Sequence, residues 1–184
     1  MHPPTHALLS WLVAETRSDL TRRDRVLVLA AGLVPDLDGL TIVSPELYER
    51  YHRQVTHNVV AAAVVALGVA VAARHRIAAT ALALVAFHLH LACDVVGAAG
   101  PDGSIWSVAY WQPFSPVEWR WENQWPLAGW QNVTITIAAL VASGFLAVRR
   151  GRSIVEAVSL RGDAAVCATL RRRFRPREQA SPPT

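Results

Sequence analysis

Two histidines and an aspartate interrupt an otherwise apolar run in HLHLACD: His88, His90 and Asp94. On a helix, residues four apart share a face and residues two apart do not, so His90 and Asp94 point together while His88 points elsewhere. Such an HxxxD pair can give two ligands to one metal ion. It can equally be a histidine–carboxylate hydrogen bond that joins helices. Either way, an ionisable pair inside an apolar helix is costly and marks a functional position. His88 reads as a packed or helix-contacting residue. A second group, HRQVTH at residues 52–57, stands directly before a run of fifteen residues, 59–73, that carries no charge. His52 and His57 are five apart, a poor helical pair, which places His52 in the approach and His57 at the first turn. Thr56 and Asn58 suit an N-cap. Arg53 is a planar, permanent cation that can hold a phosphate or a salt bridge. A third group, Asp36 and Asp38, follows Pro35, where an extended stretch would point both carboxylates the same way. They read as oxygen ligands, as a general base, or as turn and N-cap aspartates. Imidazole and carboxylate without thiolate suit zinc, with manganese or iron as alternatives. A divalent metal held with an open position lowers the pKa of its bound water to about 7. The two cysteines, Cys93 and Cys167, form no CxxC and support neither a disulfide framework nor a thiolate zinc site.

The elements that must position these groups are apolar and alanine-rich. Five apolar segments stand out, at residues 7–13, 26–35, 59–73, 77–96 and 133–148. The last three exceed strand length and, as helices, rise about 25 Å each, near the thickness of a hydrocarbon core. The chain has 184 residues, 52% of them hydrophobic and 17% charged. That charged fraction lies below the roughly 25% usual for soluble domains. A membrane protein is therefore favoured over a soluble bundle of buried helices. The expected fold is all-α: a membrane-embedded bundle of about five apolar helices over residues 1–152, followed by a basic, partly disordered cytoplasmic tail over 153–184.

Arginine supplies every basic residue other than histidine. Arg17, Arg22, Arg23 and Arg25 follow the first segment, Arg74 and Arg76 the third, and Arg149, Arg150 and Arg152 the fifth. If successive helices alternate direction, all these arginines share one side, which the positive-inside rule makes cytoplasmic. His2 and His6, the two aspartates, HRQVTH and the His90/Asp94 end then share the non-cytoplasmic side. Six of the seven tryptophans fall between residues 105 and 130, beside Pro113, Pro116 and Pro126. This composition predicts an interfacial loop lying over that side. Residues 153–174 suit an amphipathic surface helix on anionic lipid. RRRFRPR beside a membrane reads as a topological signal, so no nucleic-acid partner is expected. The N-terminus lacks a basic stretch before its apolar run and reads as retained. An ion-transporting bundle would need polar residues through the membrane, and residues 133–148 offer only Thr134, Thr136 and Ser143.

THALLSWLVA, VPDLD, HRQVTH, and HLACDVVGAAG followed by WQPFSP together resemble, in order and spacing through residue 116, the YdjM-like family of bacterial membrane-bound, predicted metal-dependent hydrolases. That family is similar to the all-α zinc-dependent phospholipase C and nuclease fold, which hydrolyses phosphodiesters. The resemblance implies a multi-pass protein of the bacterial inner membrane whose partners are the lipid bilayer and a phosphoester, such as a phospholipid. It implies metal-site positions at His6, Asp36, Asp38, His52, His57, His90 and Asp94, with Arg53 and Thr56 in support. Asp36, Asp38 and Arg53 are the expected catalytic residues. Where the family motif commonly reads HRGxTHS, this chain has Gln54 and Asn58.

Overall fold

The computed structural model describes residues 1–44, 46 and 54–174. Helix α1 (Pro3–Ala14) opens on prolines at its first positions, where the missing N–H costs nothing. Helix α2 (Arg22–Ala31) starts from a capping box between Thr21 and Asp24. A 3₁₀ stretch, Val34–Val43, follows it. Helix α3 (Val59–Ala72) begins at Asn58, whose side chain accepts the Ala61 N–H. Helix α4 (Arg76–Val96) carries HLHLACD, and α5 (Trp130–Arg150) ends on Gly151 at a left-handed φ of 72°. A short 3₁₀ turn, Ile154–Ala157, leads to α6 (Leu160–Phe174). Among the described residues the β-structure consists of isolated bridges, Ala99 with Pro126 and Val108 with Trp119. The protein is all-α.

Helix α1 lies at the centre, touching α2, α4 and α5, while α4 also packs on α2 and α3. One half of the core is built largely from alanines: Ala14, Ala31, Ala73, Ala79, Ala83 and Ala86 around Val28 and Val69. Small side chains let helix backbones approach closely, which is how helices associate when lipid removes the hydrophobic drive. The other half, Phe87 and Leu91 with Val108 and Tyr110, joins α4 to the loop at 97–129. The outward faces are also apolar. Val64, Leu67 and Val71 on α3, and Ile137, Leu140 and Val141 on α5, are each more than half exposed. Contiguous apolar surface of this kind suits lipid contact.

The expectation of about five membrane helices needs correction. Among the described residues two helices, α4 and α5, are long and apolar enough to cross a bilayer. Helix α3 has 14 residues and is a shorter apolar helix. Helix α1 has 12 residues, and α2 has 10, four of its first turn being Arg22, Arg23, Asp24 and Arg25. An apolar run in sequence does not extend into a span when charged residues and turns close it early. Residues 153–174 pack back on the bundle: Asp163 and Cys167 are buried, and Arg171 donates to the Val148 carbonyl at 3.0 Å.

Candidate metal centre

Asp94 is the hub. It lies on α4 with its carboxylate almost wholly buried, and three imidazoles surround it. Its Oδ1 is 3.2 Å from His6 Nε2 and also meets the Met1 amino group. Its Oδ2 is 3.4 Å from both His57 Nε2 and His90 Nε2. Asp36 completes the ring, with Oδ1 3.5 Å from His90 Nε2. The His6 and His90 rings stack at 3.6 Å between centroids, and His57 stands edge-on to His90 at 5.5 Å. The site therefore draws on α1, the 3₁₀ stretch, the residue before the α3 cap, and α4.

The ring orientations are set from outside. His90 Nδ1–H donates to the Gly32 carbonyl at 2.8 Å, and His57 Nδ1–H donates to Asp38 Oδ2 at 3.0 Å. A carbonyl and a carboxylate can only accept, so each bond fixes a proton on Nδ1 and turns Nε2 inward. Metal-binding histidines are oriented in this way by their outer partners. Burial lowers the His6 pKa against the opposing pull of Asp94, which favours the neutral, ligating imidazole. For His57 burial acts in the same direction, but the hydrogen bonds to Asp38 and Asp94 outweigh it and raise the pKa.

Two observations test whether a metal fits. First, His6 Nε2, His90 Nε2 and Asp36 Oδ2 are buried without a hydrogen-bond partner. Buried polar atoms are nearly always satisfied, and a shared cation accounts for lone pairs that converge. Second, one ligand atom from each of His6, Asp36, His90 and Asp94 can be chosen so that all lie within 4.8 Å of one another. Ligands about 2.0–2.1 Å from a tetrahedral centre are separated by about 3.3–3.5 Å. The contacts of 3.4 and 3.5 Å match that edge. They exceed the roughly 2.7–3.2 Å of an ordinary N–H···O bond. The donor set fits a divalent cation.

The two aspartates diverge rather than pointing together. Pro35 opens a 3₁₀ turn instead of an extended stretch, and its side chains coincide at every third residue. Asp36 consequently faces His90, and Asp38 faces the far nitrogen of His57. His52 and Arg53 lie outside the described residues. Thr56 donates its hydroxyl to the Pro35 carbonyl at 2.6 Å, tying the two site loops together. His88 turns away, bonding the Leu84 carbonyl and the Tyr110 hydroxyl at 2.8 Å each.

Sequence reasoning missed two supports. One is the Gly32 carbonyl, a backbone atom that no motif announces. The other is Gln124, whose amide donates to the carbonyls of Asp94 at 3.3 Å, Val95 at 2.8 Å and Trp106 at 3.0 Å. It ties the Trp-rich loop to the end of α4. Asn132 anchors the same loop to α5 through the Gly97 and Leu127 carbonyls and the Trp125 indole.

In comparison with known proteins, a family model described as YdjM inner membrane protein matches residues 1–172. No curated protein and no solved structure matches the chain.

Proposed function

The chain belongs to the YdjM inner membrane protein family, and on that premise we propose that it is a membrane-bound, metal-dependent hydrolase acting on a phosphoester, with a lipid headgroup as the favoured setting. The observation that carries this reading is the convergence of unpartnered His6, His90 and Asp36 atoms on Asp94. His6, Asp36, His90 and Asp94 would hold a divalent metal, zinc before manganese or iron, because nitrogen and oxygen donors without sulfur suit those ions. When bound, such an ion supplies hydroxide at neutral pH and polarises a phosphoryl oxygen. Asp38 orients His57 toward Asp94. Asp36, the member of the ring with a quarter of its side chain exposed, would serve either as that ligand or as the general base that takes a proton from water. Arg53, the second residue of HRQVTH, would supply the anion-binding charge in this scheme.

A second reading is favoured by one observation. His57 lies between Asp38 and Asp94, 3.0 and 3.4 Å from their carboxylates, where an imidazolium would offset both charges without a metal. The cluster would then join helices and catalyse nothing. Elemental mass spectrometry on detergent-purified protein separates the two. The expected result is near-stoichiometric metal in wild type and its loss in His90→Ala and in Asp94→Ala, with phosphodiester turnover lost in parallel. Wild type that stays metal-free after reconstitution would establish the helix-joining reading.

A further inference from the structure

At the end of the bundle opposite His6, His57 and His90, an open hollow of about 660 Å³ has Arg17, Arg74, His75 and Arg76 on its rim and Ile77 and Ala81 of α4 along its wall. Most nearby arginines are already engaged: Arg25 with Glu15 and Glu156, and Arg150 and Arg152 with Glu15. Arg17 is also neutralised, by Asp19 at 2.6 Å, and His75 faces Asp24 at 2.8 Å. Arg74 and Arg76 have no carboxylate partner among the described residues, so the rim carries uncompensated positive charge.

We propose that this hollow binds one anionic phospholipid, its phosphate on Arg74 and Arg76 and its acyl chain along α4. Charge alone would accept any anion. The wall decides the source: Ile77 is 90% exposed, and Ala81 is exposed one turn further on. Both lie on a helix that starts at Arg76 and is long and apolar enough to cross the bilayer. A small residue beside a projecting isoleucine leaves a trough that an acyl chain fills, whereas free phosphate leaves it exposed to water. Guanidinium and phosphate meet through paired hydrogen bonds, and the negatively charged leaflet supplies the ligand at high local concentration.

Native mass spectrometry of the full-length protein in detergent, titrated with phosphatidylglycerol or phosphatidylcholine, tests this. Wild type should retain one phosphatidylglycerol and show no comparable phosphatidylcholine adduct. Surface arginines contribute roughly fivefold each, so Arg74→Gln/Arg76→Gln should weaken retention by about thirtyfold. Arg172→Gln/Arg173→Gln, which removes equal charge from α6, should leave it intact. Ala81→Trp fills the trough without altering charge and should also abolish retention, which keeps the test decisive if the double-arginine variant fails to fold. Equal losses in the two arginine pairs would mean diffuse attraction and overturn the proposal. So would displacement of the lipid by millimolar inorganic phosphate with Ala81→Trp unaffected, because the ligand would then be a soluble anion.

Discussion

Asp24 is fully buried, yet its carboxylate is surrounded by donors. Oδ2 accepts from the Thr21 N–H at 3.0 Å, the Thr21 hydroxyl at 2.8 Å and His75 at 2.8 Å, while Oδ1 accepts from the Arg74 N–H at 2.6 Å. Burial by itself would raise its pKa, but these bonds hold it well below the usual carboxylate range. A carboxyl whose folded pKa is depressed contributes stability above its unfolded pKa, about 3.9, and that contribution is lost as pH falls toward the folded value. Wild type should therefore lose thermal stability below about pH 4 more steeply than Asp24→Asn. At pH 7 the variant should be the less stable by about 1–3 kcal/mol, since charge-assisted bonds are replaced by weaker ones. Thermal unfolding in detergent across pH 3–7 checks both, and parallel pH profiles would show that Asp24 has no such linkage.

Among the elements, the passage from α2 into the 3₁₀ stretch has the least room. A Cβ placed on Gly32 would lie 1.9 Å from Ser10 Oγ and 2.8 Å from Ser10 Cβ. Rotating Ser10 can remove the first clash but not the second. Gly32 also lies against Ala86 of α4, and its carbonyl accepts from His90 Nδ1 on that helix. Gly32→Ala should destabilise the protein by about 1–3 kcal/mol, the usual cost of overpacking, and lower the metal content along with it. The penalty should shrink when Ser10 is already glycine, a coupling that a double-mutant cycle reads directly. Additive effects would place the cost elsewhere.

Over the whole molecule, most of the described arginines gather at one end. The loops after α1, α3 and α5 meet at one end. Glu15 binds Arg150 and Arg152 at 2.9 Å there, and Arg25 Nη2 reaches Glu156 Oε1 at 2.5 Å. The His/Asp cluster and the Trp-rich loop occupy the other. The positive-inside rule predicts that the arginine end faces the cytoplasm. A reporter fused after Arg152 should read cytoplasmic, and one inserted in the turn at 101–104 should read non-cytoplasmic. The reverse pattern would invert the assignment and put the His/Asp cluster on the cytoplasmic side.

The helical class and the shared face of His90 and Asp94 were legible because both depend on local periodicity, which a helix imposes on any four-residue spacing. The sorting of arginines by loop was legible for a similar reason, since it needs only the order of segments. The number of long apolar helices was not, because where a helix stops depends on charges and turns such as those at Arg22–Arg25 and at His75. Nor was the divergence of Asp36 and Asp38, which rests on a 3₁₀ turn where Pro35 allowed either conformation. Above all, His6 stacks on His90 across 83 intervening positions in the chain, at 3.6 Å. That separation is decided by how closely alanine-lined helices pack, and only the tertiary structure sets it.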